Sequence, residues 1–146
     1  MRPHLAWAIV IAAFALMPVH ARAVQQPWDQ QKVTHIVSDL AQAVSGILDE
    51  YNKQPPATIA SMQTNARYRL GDDLRLLESE THVLHGMLEL GKDRDATLPI
   101  YERIGSPAQD ARDDARKQSA TEAVQKRVER AEALWAQLTP YYESDR

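Results

Sequence analysis

The spacing of apolar residues between Asp29 and Tyr51 constrains the fold most. These residues recur at steps of three and four, which places them on one side of an α-helix and does not fit the alternation of a strand. They are Val33, Ile36, Val37, Leu40, Val44, Ile47, Leu48 and Tyr51. Pro55 and Pro56 end this helix, because proline has no backbone N–H to donate and restricts the residue before it.

A second, longer helix is predicted from Ala57 to Leu90, with Gly91 as its C-terminal cap. At about 1.5 Å per residue it would be roughly 50 Å long and would outreach its partner. Gly71 and Gly86 lie inside it and either weaken it or permit another helix to come close. Its core stripe is Ile59, Met62, Ala66, Leu70, Leu74, Leu77, Thr81, Leu84 and Leu88, and we expect Leu76, Val83, Met87 and Leu90 to widen that stripe on one side.

The rest of the chain predicts two further helices. Thr97 can cap the third, with Pro99 tolerated in its first turn, and Gly105-Ser106-Pro107 then breaks, kinks or restarts it. From Ala108 to Lys117 this segment is charged and is expected to be mostly solvated. A capping box of Ser119 and Glu122 opens the last helix, which Thr139-Pro140 ends. The stripe of the last helix is Val124, Val128, Ala131, Leu134, Trp135 and Leu138.

These segments predict an all-α fold. The connections are short, so successive helices should be antiparallel neighbours in a small up-and-down bundle. We expect four helices, the third of them broken if the Gly-Ser-Pro stretch interrupts it. The bundle would occupy residues 24–146 as a single domain.

The first 23 residues have the layout of a secretory signal peptide. Met1–His4 is weakly basic, Leu5–Met17 carries no charge, Pro18 breaks the run, and Ala21-Arg22-Ala23 offers small residues at a cleavage site. Cleavage after Ala21 and retention as an uncleaved anchor are the alternatives. No later run is apolar enough to span a bilayer, so we expect a periplasmic or secreted chain without stable membrane insertion.

Composition removes several function classes. The chain has 146 residues, a net charge of −3 and no cysteine. The acidic balance excludes a generally basic nucleic-acid binder. The absence of cysteine excludes disulfides, thiol catalysis, cysteine-ligated zinc, iron–sulfur clusters and covalently attached c-type haem, and it suits an oxidising compartment.

One row of polar residues on the second helix could bind a transition metal. Glu78, His82, His85 and Glu89 step by four, three and four, so they share a face, and imidazoles with carboxylates suit Zn²⁺, Cu²⁺ or Ni²⁺. His35 on the first helix could add a ligand. The alternative is a solvated face next to the core stripe, since Glu–His pairs four apart stabilise a helix without any ligand. No other cofactor is expected.

The basic residues of the second helix have two interpretations. Arg67, Arg69 and Arg75 lie among Asp72 and Asp73, and the spacing predicts ion pairs within the helix. If Arg67 or Arg75 instead lined a cleft with an acid, an anion pocket of a small exported enzyme would follow. The chain contains neither a Gly-rich phosphate loop nor a Gly-x-Ser-x-Gly elbow.

The C-terminal aromatic residues Trp135, Tyr141 and Tyr142 also have two interpretations. They either close the open end of the bundle or form a contact patch for a partner, since Trp and Tyr contribute much of the energy at interfaces.

Taken together, the sequence favours a non-enzymatic exported protein that meets an envelope protein or a small ligand. The alternatives are a metal- or cofactor-binding bundle centred on His82 and His85, and a small all-helical enzyme. Pairing of the long second helix with itself in a homodimer would cover the part that outreaches its partner.

Overall fold

The computed structural model describes residues 25–53, 61–117 and 122–143, with side chains for 25–53, 68–113 and 122–143. Within these ranges the chain forms four helices and no strand: α1 (Gln30–Lys53), α2 (Ser61–Glu89), α3 (Arg94–Lys117) and α4 (Glu122–Tyr142). The all-α prediction is confirmed. The predicted signal peptide, residues 1–23, and the capping residue Ser119 lie outside the described residues.

The helices pack antiparallel, as expected for an up-and-down bundle. Near the start of α1, the Gln30 side chain donates a hydrogen bond to the Leu88 carbonyl near the end of α2, at 2.8 Å. On the other side of α1, the Gln26 N–H just before this helix donates to the Pro140 carbonyl near the end of α4, at 2.8 Å. Helix α1 contacts both α2 and α4, and α2 contacts α3, whereas α3 and α4 touch far less.

The predicted core stripes are largely confirmed. All eight apolar positions of α1 are buried, and so are the described stripe positions of α2, from Leu70 to Leu88. The expected widening of the α2 stripe is confirmed for Met87, which packs against the core, and wrong for Leu76, Val83 and Leu90, which are exposed. Helices α1 and α3 cover only one side of α2, and these three residues lie largely on the opposite side.

Asp93, rather than Thr97, caps α3. The Asp93 carboxylate accepts a hydrogen bond from the Ala96 N–H at 3.0 Å, which satisfies one of the free donors at a helix start. Thr97 is fully buried one turn later, and its hydroxyl donates to the Asp93 carbonyl at 2.8 Å. The cap of α1 follows the same pattern, with the Lys32 N–H donating to Asp29 at 3.0 Å.

Gly91 ends α2 as predicted. Its φ of 73° lies in the left-handed region that favours glycine. The Gly91 N–H donates to the Leu88 carbonyl, and the Lys92 N–H to the Met87 carbonyl, both at 3.0 Å. These two bonds form a Schellman motif, which satisfies the last carbonyls of the helix.

Two prolines that were expected to interrupt helices lie inside them. Helix α3 runs unbroken through Pro107, so the broken version of the third helix is wrong. Helix α4 continues past Pro140 to Tyr142. A proline removes only one helical hydrogen bond, and burial on both sides of it compensates: Ile104 and Ala111 flank Pro107 in the core, and Tyr141 and Tyr142 are buried beyond Pro140.

The two glycines inside α2 differ. A Cβ at Gly71 would lie 2.8 Å from the Tyr51 hydroxyl, so Gly71 permits the close approach of α1 that the sequence suggested. A Cβ at Gly86 would meet nothing within 4 Å.

Candidate functional site

An apolar groove opens between α3 and α4, where the two helices separate. Its volume is about 650 Å³. All four helices line it, and most of the lining side chains are aliphatic or alanine. They include Leu40, Val44 and Ile47 of α1, Leu70, Leu74 and Leu77 of α2, Ile104, Ala108 and Ala111 of α3, and Val124, Val128, Ala131 and Trp135 of α4.

The groove exists because short side chains line its walls. Gly105, Ala108 and Ala111 on α3 and Ala131 and Ala136 on α4 are too small to fill the space between their helices. The groove spans the boundary between two hydrophobic clusters, and Ala131 packs against both of them. Its floor is therefore the bundle core itself.

The segment after Pro107 is helical as expected, and among its described side chains (108–113) Gln109 and Asp110 are exposed, but two alanines face the core. Ala111 is buried and Ala108 packs against the core, so the segment forms one wall of the groove. The spacing of Ile104, Pro107 and Ala111 at steps of three and four could have predicted this core-facing side. It was overlooked because two of the three residues are small.

The rim of the groove carries three polar side chains, Gln109 and Arg112 on α3 and Glu132 on α4. The Arg112 Nε is buried and has no hydrogen-bond partner among the described residues. It lies 3.9 Å from the nearest Asp113 oxygen, which is too long for a hydrogen bond. A buried N–H without an acceptor is costly, so this nitrogen marks a place where an acceptor would be stabilised.

An aromatic stack joins α3 to α4 at one end of the groove. The Tyr101 ring lies between Trp135 and Tyr142, with ring centroids 4.6 Å and 4.2 Å apart, and Trp28 meets Tyr142 edge-on at 5.4 Å. The Thr97 and Tyr142 hydroxyls are 2.9 Å apart. Burial raises the pKa of Tyr142 to about 12 and also raises the pKa of Tyr101.

The stack bears on the two interpretations of the C-terminal aromatics. Tyr141 and Tyr142 are buried within the chain, which is what closure of the bundle end requires. Trp135 is only partly buried and lines the groove. Partner binding by Trp135, Tyr141 and Tyr142 stays a prediction, with Trp135 the best placed of the three.

The histidine row lies on another side of the molecule, away from the groove. His82 is exposed, with its Nε2 3.3 Å from the Ser45 hydroxyl, while the His85 Nε2 is 3.6 Å from a Glu89 oxygen and Glu78 is half-buried. Among the described side chains, no three His, Cys, Asp or Glu residues are grouped so that they could hold one metal ion. The metal site at Glu78, His82, His85 and Glu89 stays a prediction.

Arg75 of α2 faces away from the groove, and Arg69 is also exposed. Arg75 is exposed and pairs with Asp72 at 3.0 Å, three residues earlier, which is one of the ion pairs that the spacing predicted. Arg67 lies outside the described side chains. The cleft is instead bordered by Arg112 and Glu132, two residues that the sequence did not single out as a site.

None of the helices in the described ranges combines the length and apolar character needed to cross a membrane. Comparison with protein-family models, curated proteins and solved structures gives no match, so the groove and its rim carry the functional argument.

Proposed function

We propose that the protein is a non-enzymatic binding protein whose groove takes a small apolar molecule bearing an anionic group. The observation that carries this proposal is the groove itself, about 650 Å³ in volume and lined mainly by apolar side chains from all four helices. Sites for small ligands are clefts of roughly 300–1,000 Å³ with apolar walls and a few placed polar groups.

Arg112 is the reason for proposing that the ligand carries an anionic group. Its buried Nε needs an acceptor, and the guanidinium matches the geometry of carboxylate, sulfonate or phosphate oxygens. Gln109 adds an amide one turn away on the same rim. Glu132 on the α4 wall would repel an anion, so the charged group belongs on the α3 side, where it would take the place of the Asp113 carboxylate beside Arg112.

Export is part of the proposal. The signal-peptide layout of residues 1–23 supports a periplasmic or secreted chain that meets its ligand outside the inner membrane. Mass spectrometry of the N-terminus after expression, with fractionation of the cells, tests this part. A mature chain that begins at residue 22 or 24 supports export, and an intact N-terminus in the cytoplasmic fraction contradicts it.

The binding test uses two fluorescent probes that share one aromatic body. 8-Anilinonaphthalene-1-sulfonate carries an anionic group, and N-phenyl-1-naphthylamine lacks it. We expect saturable binding of both probes, with the sulfonate bound more tightly. The double variant Ala108→Leu/Ala131→Leu fills the groove and should weaken both probes at least about tenfold. Ala133→Leu makes the same change at an exposed position of α4 and should leave both unchanged.

Arg112→Met separates the two parts of the proposal. It should reduce sulfonate binding by about tenfold and leave the uncharged probe within about twofold. Probe binding that survives the groove-filling variant would refute the groove as the site. Equal losses for both probes in Arg112→Met would refute the anionic preference and leave an apolar site.

A further inference from the structure

Helix α2 carries a stripe of exposed apolar residues on the side that faces away from the bundle. Among the described residues, all the exposed large apolar side chains lie on this helix or directly after it: Tyr68 (69% exposed), Leu76 (49%), Val83 (45%) and Leu90 (78%). Leu76, Val83 and Leu90 are spaced by seven, so they lie in one line along the helix. Contiguous apolar patches on a protein surface often mark interaction sites.

The gaps between these side chains are filled by small residues. Ser79 and Gly86 lie between the large positions at steps of three and four, which gives the order large, small, large, small, large. Ser79 is exposed, and a Cβ at Gly86 would meet no atom within 4 Å. The surface therefore offers knobs and hollows at regular intervals.

A second copy of the same helix, run antiparallel, matches this pattern. When Val83 is placed opposite Ser79 of the partner subunit, Leu76 faces Gly86 of the partner subunit, and the two-fold symmetry repeats both contacts. Leu76 and Val83 then each meet a hollow, whereas Leu90 lies opposite Asp72 of the partner subunit. Leu90 lies at the end of the seam.

The charges beside the stripe match in the same register. Arg75 and Glu89 lie on the same flank of α2, 14 residues apart, which is about 21 Å along the helix and too far for a contact within one chain. In the antiparallel pair, Arg75 lies beside Glu89 of the partner subunit, and symmetry forms this pair twice. Both side chains are exposed; Arg75 pairs with Asp72 at 3.0 Å and Glu89 lies 3.6 Å from His85, so the pairs across the seam would be added to, or replace, these exposed pairs within each helix.

We propose that the chain forms an antiparallel homodimer through the Leu76–Leu90 face of α2. In this register the paired segment runs from Asp72 to Leu90, about 27 Å long and one helix wide, which is at the low end for specific interfaces. A small interface of this kind predicts a weak dimer that forms only at micromolar to millimolar concentrations.

Sedimentation equilibrium tests the dimer, with the protein purified from the cells that express it and studied at concentrations from about 1 µM to about 1 mM. We expect a monomer–dimer equilibrium. Val83→Asp should raise the dissociation constant of the dimer at least about tenfold, because the substitution buries a charge in the seam. Ala133→Asp adds the same charge at an exposed site of α4 and should change the dissociation constant by less than about twofold.

Gly86→Gln tests the hollow without removing any apolar contact. Since nothing in the monomer lies near this position, and glutamine favours a helix over glycine, the monomer should be at least as stable as the wild type. The dimer should nevertheless weaken at least about tenfold, because the new side chain occupies the space of Leu76 of the partner subunit.

A charge exchange tests the register. Arg75→Glu and Glu89→Arg should each weaken the dimer by about threefold to tenfold, and the double variant should restore it to within about twofold of the wild type. A chain that stays monomeric at about 1 mM, or a dimer that survives Val83→Asp, would overturn the proposal. A double variant that dimerises no more tightly than either single variant would overturn the antiparallel register.

Discussion

Filling the groove should stabilise the protein, although most substitutions in a core destabilise it. Ala131 lines the groove and packs against both hydrophobic clusters, and leucine adds three carbon atoms at this position. Each carbon contributes about 0.8 kcal/mol when fully buried. Since the groove stays open on one side, about half of the new surface leaves water. We therefore expect Ala131→Leu to raise the free energy of unfolding by about 1 kcal/mol.

Guanidinium unfolding followed by circular dichroism measures this difference. Ala133→Leu is the matched control, because it makes the same change on the same helix at an exposed position, and it should lie within about 0.5 kcal/mol of the wild type. A loss of about 1 kcal/mol or more in Ala131→Leu would mean that the helices already fill this space in solution. That result would refute the open groove and, with it, the proposed binding function.

Three further outcomes are expected. Gly91→Ala should lower the free energy of unfolding by about 1 kcal/mol in urea titrations, because alanine is strained at a φ of 73°, and an unchanged midpoint would contradict the left-handed cap. Burial raises the pKa of Tyr142 from 10.0 to about 12, so stability should hold below pH 10 and fall by at most about 2.7 kcal/mol as the pH rises from 10 through 12. Tyr142→Phe should reduce this fall, and an equally steep loss in that variant would assign it to other groups. Replacing His82 and His85 by glutamine should leave the helical circular dichroism unchanged, and stoichiometric Zn, Cu or Ni that elemental analysis finds only in the wild type would establish the metal site.

Helices were predictable where their apolar periodicity was strong. The stripes of α1 and of the described part of α2 follow from residue spacing alone, and Gly91 follows from the need for a left-handed residue at a helix end. Pro107 and Pro140 misled the prediction, because local rules count the lost hydrogen bond and cannot count the burial of Ile104, Ala111 and Tyr142 around them.

The groove was not predictable from spacing. Alanine and glycine are compatible with a tightly packed wall, a solvated face or an open cleft, and only the positions of the neighbouring helices distinguish these cases. The same limit explains why Arg112 was passed over in a run of mixed charges. The lack of a hydrogen-bond partner for its Nε among the described residues becomes visible only when the distances to its neighbours are known.

By itself, the sequence determined that the chain forms amphipathic helices, where their core faces lie and which residue ends α2, because these properties depend on neighbours within one or two turns. The tertiary structure alone decided that α3 and α4 separate along most of their length, that Leu76, Val83 and Leu90 face outward, and that the tyrosines of α4 close one end. Those outcomes depend on how four helices share a limited amount of apolar surface, and no single segment contains that information.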